Sequence, residues 1–235
     1  MGGIVIREFG ILKNPEYREL FEEINKRELC KKCQEKRAKF ESRDKKHNNC
    51  YSNLIPGFSS SEIKPPVDIL IVAEAHGGGR QDSFHTQGKL DAEVNYMFDY
   101  YLNDPLANYH QQQMRELFNE LTNLGKSWVF TDLVKCFVWK GKKKNLNGKE
   151  NFEKAIESCR NYLDQQIGVL EPKKILALGG KVATKYFGLP PKGRSLTHGA
   201  VYDQDHTIVW SYFPSGYTAD LWVKNGGWRN IINKL

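Results

Sequence analysis

The sequence predicts an α/β fold in which a central parallel four-stranded sheet is flanked by helices. Three observations carry that prediction. The segment Val67–Gly79, VDILIVAEAHGGG, opens with six apolar residues in seven, rich in β-branched side chains, as a strand buried on both faces requires. Three further short apolar runs, at Trp128–Val134, Lys174–Leu178 and Thr207–Tyr212, have the same character. Helical patterns separate them, and strands alternating with helices build parallel sheets. At 235 residues the chain can bury one large core, so a single domain over 1–235 is expected.

Taken in order, Pro15–Arg43 is highly charged, with Tyr17, Leu20, Phe21, Ile24 and Leu29 near helical spacing. This reads as one or two amphipathic helices packed lightly on the body, forming an N-terminal helical segment at about 15–45. Asp44–Pro66 is polar and reads as a loop feeding the first strand. That strand ends abruptly in an acid, a histidine and three glycines, where open parallel sheets place their sites. Arg80–Lys89 lacks a period and is expected to wrap over that turn, while Asp91–Leu102 and Met114–Leu124 look helical. The second strand, WVFTDLV, runs into Lys135-Cys136 and a basic loop. Asn151–Leu170 shows a 3.6-residue apolar repeat that Pro172 stops. Gly179-Gly180-Lys181 follows the third strand, but G-x-x-x-x-G-K-[ST] is absent, so the glycines read as a tight strand-to-helix turn. The fourth strand leads into Phe213-Pro214-Ser215-Gly216, and a closing helix from Ala219 is interrupted by Gly226-Gly227.

Composition narrows the function classes. No segment approaches the apolar length of a membrane helix, and the N-terminus MGGIVIREFG carries neither a secretory pattern nor a myristoylation signal. A cytoplasmic protein without a membrane partner is expected. Lys and Arg total 35 against 28 acids, a formal +7, which favours a polyanionic partner. Five cysteines without a secretory signal point to metal or cluster ligation rather than a disulfide framework. Cys30 and Cys33 form a C-x-x-C pair that can hold one metal centre but needs about two more ligands. Cys50 reads as a free loop thiol, and Cys159 lies on the apolar stripe of its helix, where an inert buried cysteine would be ordinary.

The order of these features resembles the iron–sulfur (family 4) uracil-DNA glycosylases. The family's G-E-A-P-G stands here as Ala73-Glu74-Ala75-His76-Gly77, and its T-N-x-x-K-C as Thr131-Asp132-Leu133-Val134-Lys135-Cys136. C-x-x-y-L followed by Q-I matches Cys159–Leu163 and Gln166-Ile167, P-x-x-I-x-x-L-G matches Pro172–Gly179, and H-P-[SA] appears as Phe213-Pro214-Ser215. The resemblance spans roughly Leu29–Tyr217 and implies a uracil-DNA glycosylase-like three-layer fold and a DNA glycosylase that flips and excises a damaged or deaminated base. It further implies a [4Fe–4S] cluster on Cys30, Cys33, Cys136 and Cys159, for which a structural Cys₄ zinc site is the physical alternative. The expected partner is single- or double-stranded DNA, bound by a monomer.

By that resemblance, Glu74 would orient or activate water, and backbone amides at Ala75 and Gly77 would hold a base carbonyl. Phe84 would stack on the base, although it falls three residues earlier than the family spacing. Lys140, Lys142, Lys143 and Lys144 would meet phosphates, or form a solvated basic loop with no partner. Ser215 would enter the minor groove with Tyr217 as the wedge. Three departures bear on activity. Phe213 replaces a histidine expected to stabilise the departing base, and a phenyl ring donates no hydrogen bond. His76 replaces a proline and is either a substitute donor or a merely polar loop residue. Asp132 replaces an asparagine: ionised, it only accepts, repelling uracil O4 and favouring an amino-bearing base; protonated, it could still accept uracil. A competing reading is therefore a catalytically silent relative that binds nucleic acid through the same groove.

Overall fold

A computed structural model describes residues 10–26, 57–59, 63–75, 94, 97–135, 146–190 and 195–235. Its core is a six-stranded sheet: β1 Phe58–Ser59, β2 Ile69–Ala75, β3 Trp128–Val134, β4 Lys174–Leu178, β5 Val201–Asp203 and β6 Thr207–Ser211. The spatial order is β1-β3-β2-β4-β6-β5. The four inner strands are mutually parallel, as expected, and an antiparallel strand closes each edge. The two edge strands were not anticipated. With two and three residues, they are too short to show a period, and β1 lies inside the polar stretch read as a loop.

The helices are α1 Gly10–Lys13, α2 Pro15–Lys26, α3 Tyr109–Asn123, α4 Leu146–Leu170, α5 Ala219–Lys224 and α6 Arg229–Ile232. Helix α3 starts five residues before the apolar pattern suggested, because Asn108 and Gln111 form a reciprocal capping box at its N-terminus. Asp99–Asn103 is a π-helical turn rather than the end of a regular helix. Helix α4 begins at Leu146, inside the basic stretch after Cys136, and stops ahead of Pro172. Gly226 and Gly227 do separate two short C-terminal helices, both glycines having positive φ.

Strand β3 separates the layers. Its side chains alternate, as the pleat demands. Phe130 meets Phe118 of α3 and Tyr101, and Trp128 stacks on Phe118 with centroids 4.5 Å apart. Thr131 instead meets Gln166 of α4. Helix α3 thus covers one face of the sheet and α4 the other. Helix α2 does not pack lightly: Tyr17, Leu20 and Phe21 are buried, and the Tyr17 hydroxyl accepts a hydrogen bond from Gln166 Nε2. Gly57 (φ +103°) leads into β1, and a Cβ there would collide with the Phe130 carbonyl, so no other residue fits.

At the amino ends of the strands, Asp68 ties three of them together. It accepts hydrogen bonds from the Ser127 amide and hydroxyl, both at 2.9 Å, and from Lys173 Nζ at 2.7 Å. Burial pushes its carboxyl up, but the bonds from Lys173 and Ser127 together outweigh that and bring it down to about 2. A carboxyl depressed in the folded state stabilises above its unfolded value near 3.9 and loses that contribution as pH falls through about 2. Asp68→Ala should lower unfolding free energy at pH 7 by on the order of 2 kcal/mol. In urea unfolding, the gap between wild type and variant should close between pH 4 and pH 2.

Candidate functional site

All four inner strands point the same way, so their carboxyl ends share one edge of the sheet. Glu74 is the penultimate residue of β2, Asp132 lies near the end of β3, Gly179 follows β4 and Phe213 comes two residues after β6. In the register of β2 and β3, Ala73 pairs with Asp132. Glu74 and Asp132 therefore emerge from adjacent strands on alternate faces of the pleat.

Asp132 is buried, and neither carboxyl oxygen has a hydrogen-bond partner among the described residues. It shares the Phe130 face of β3, toward Tyr100 and α3. Burial pushes its acid up; the nearby Lys135 opposes that shift, and the charge of Glu74 adds to it. The neutral form of the acid is the one this environment favours.

Lys135, three residues on, points to the opposite face. It is fully buried, and its Nζ donates to Thr131 Oγ1 at 2.7 Å and to the Asp132 backbone carbonyl. Burial draws its ammonium down, opposed by Asp132 and by Cys159. Thr131 in turn meets Gln166, which donates to Tyr17. Cys159 lies buried on α4, two turns before Gln166 on the same stripe. In the sequence, α2 ends four residues before Cys30, β3 ends two before Cys136, and α4 carries Cys159. Cys30, Cys33 and Cys136 themselves lie outside the described residues, as do Cys50, His76, Gly77, Phe84, Lys140, Lys142, Lys143 and Lys144. Ala75 is described in its backbone, and so is Tyr217. Among the described residues, no group of three or more His, Cys, Asp or Glu is arranged to hold a metal ion.

Glu74 has a partner that sequence reasoning passed over. Lys181 Nζ donates to Glu74 Oε1 at 3.1 Å, with the two side chains 36% and 27% exposed. The Gly179-Gly180-Lys181 turn thus delivers a cation to the acid of the neighbouring strand. The available signal was the pairing of β4 beside β2, which places the two turns side by side.

Phe213 is half-buried, and the turn after it is held by Thr218, whose hydroxyl donates to the backbone oxygens of Phe213 (2.6 Å) and Ser215 (2.9 Å). Its ring lies 6.0 Å from that of His110, at the first turn of α3. His110 Nε2 is in turn 3.4 Å from the Tyr100 hydroxyl. Nothing in the sequence pairs Tyr100 or His110 with the strand ends; only the packing of α3 brings them there.

Comparison with known proteins gives one consistent picture. The profile of the "Uracil DNA glycosylase superfamily" matches residues 62–230. A "Type-4 uracil-DNA glycosylase" of Sulfurisphaera tokodaii is 27% identical over 136 residues, covering 57% of this chain and 48% of that protein. Another of the same name, from Pyrobaculum aerophilum, is 27% identical over 127 residues, covering 54% and 50%. The chain spans about half the length of the curated relatives it matches.

Because Gln166 joins α2 to β3, replacing it with Leu should remove the hydrogen bonds it makes with the Tyr17 and Thr131 hydroxyls. Gln166→Leu is expected to cost about 1–3 kcal/mol in chemical unfolding, whereas a Gln166→Leu/Tyr17→Phe double variant should recover part of that loss.

Proposed function

The chain belongs to the uracil DNA glycosylase superfamily, and from that premise we propose that it is a single-domain DNA glycosylase that excises uracil by hydrolysing the N-glycosidic bond. One observation carries the reading: a buried Asp132, with no hydrogen-bond partner among the described residues, stands on the strand next to that of Glu74, at the shared carboxyl edge of the sheet. A flipped base needs a polar group to read its edge, and a buried acid with no hydrogen-bond partner among the described residues supplies one.

As a neutral acid, Asp132 accepts the uracil N3–H through its carbonyl oxygen and donates its own proton to O4, reproducing what an asparagine does. Ionised, it would favour an exocyclic amine instead. Its state is set first by burial, which favours the neutral acid, then by Lys135 just past β3, which opposes that, and by Glu74 of β2, which adds to it. Glu74 orients a water and takes its proton as the water adds to the sugar, with Lys181 holding the carboxylate. The lysines at 140 and 142–144 contact DNA phosphates, and Ser215 and Tyr217 approach the minor groove of single- or double-stranded DNA.

Four thiolates suit an iron–sulfur cluster or zinc, and the buried approach of Lys135 to Cys159, with α2 and β3 ending close in sequence to the other three cysteines, is compatible with one shared centre. Cys30, Cys33, Cys136 and Cys159 would hold it. Its contribution would be structural, joining the N-terminal helices to the sheet. Protein purified anaerobically should show the broad visible absorption of an iron–sulfur cluster; a colourless, zinc-containing preparation would assign the alternative.

Single-turnover excision from a uracil-containing duplex tests the chemistry. Glu74→Gln should slow base release at least 100-fold without weakening DNA binding, and an unchanged rate would remove Glu74 from the mechanism. If wild type binds DNA yet releases no base, the protein is the silent relative that Phe213 suggests. Uracil excision by wild type should decline as pH rises and Asp132 ionises. Asp132→Asn, which cannot ionise, should retain excision and lose that alkaline decline.

A further inference from the structure

Breaking the bond between sugar C1′ and base nitrogen sends the electron pair onto the base, while the attacking water supplies oxygen to C1′. The departing base is therefore an anion until solvent protonates it. At this edge of the sheet it leaves beside the Glu74 carboxylate, and the neutral Asp132 donates only at O4, while the negative charge is shared with O2 on the other side of the ring. A hydrogen-bond donor must face the base for the anion to be tolerated. The aromatic side chain of Phe213 offers none.

Neighbouring donors come from the other layer. The Tyr100 ring neighbours that of Tyr101, which packs on Phe130 on the face of β3 that Asp132 shares; Tyr100 approaches His110 at 3.4 Å; and His110 packs 6.0 Å from the Phe213 ring. These contacts form a continuous path from the end of β3 to the end of β6 across the first turn of α3. We infer that His110, held by Tyr100 and packed against Phe213, donates the hydrogen bond that stabilises the departing base anion. This assignment rests on the glycosylase reading above.

The surroundings of His110 suit that task. Nε2 stands 3.4 Å from the Tyr100 hydroxyl, and in the tautomer that accepts there the imidazole proton lies on Nδ1. Burial lowers the basicity of the ring and keeps it neutral, so it donates without surrendering a proton. Its support is rigid. The Gln111 side chain donates to the Tyr100 carbonyl at 2.7 Å, and Arg115 Nε and Nη2 donate to the carbonyls of Tyr101 and Asp104 at 3.1 and 3.0 Å. The capping box fixes the turn in which His110 sits. A donor fixed before the reaction stabilises developing charge with little reorganisation.

Single-turnover release of uracil and of 5-fluorouracil from otherwise identical duplexes, by the full chain, tests the assignment. 5-Fluorouracil leaves as a more stable anion and depends less on a donor. His110→Ala should slow uracil release about 100-fold, slow 5-fluorouracil release distinctly less, and leave DNA affinity and the melting temperature close to wild type. His110→Gln, which keeps an N–H donor, should recover part of the uracil rate. Equal rates for wild type and His110→Ala would overturn the assignment while leaving the glycosylase reading intact. So would an equal loss on both bases with no recovery in His110→Gln. A wild type that releases neither base would overturn the glycosylase reading, and the donor role with it.

Discussion

Two ionisable side chains taken out of water within four residues of each other dominate this structure. Asp132 and Lys135 are both buried, and isolated charges in an interior are costly enough that the surroundings must either pair them or neutralise them. The pleat of β3 sends them to opposite faces, so they meet different fates. Lys135 is satisfied by Thr131 and by the backbone, and that arrangement propagates through Gln166 to Tyr17, fixing α2 against the sheet. Asp132 has no such partner among the described residues. The end of β3 and the residue after it thus hold, on opposite faces, a lysine satisfied in the interior and an acid with no hydrogen-bond partner among the described residues.

The inner strands were readable because each is a short apolar run buried on both faces, a pattern that survives without knowledge of its neighbours. The edge strands were not, since Phe58–Ser59 and Val201–Asp203 exist only by pairing with β3 and β6. Helix α2 shows a related limit. Its charged composition suggested a light association, but periodicity places Tyr17 on the inner face without revealing that Gln166, 149 residues away, awaits its hydroxyl.

The same distinction divides the site. Glu74, Asp132 and Phe213 were legible because the end of a parallel strand is a local property and its location in the fold follows from topology. Lys181 was half legible: its turn was recognised, yet the ion pair with Glu74 depends on β4 lying beside β2. Tyr100 and His110 were invisible, because a π-helical turn and the entry to α3 reach the strand ends only through the aromatic packing of Phe58, Tyr101, Phe118 and Trp128.

Thr218 grips the turn after β6 by main-chain oxygens alone, so the path of the backbone there is indifferent to which side chain position 213 carries. An exchange of chemistry at that position need not have disturbed the scaffold. The sheet could keep its shape while the donor migrated from a strand end to a helix entry, a relocation of function between layers with little demand on the framework that supports both.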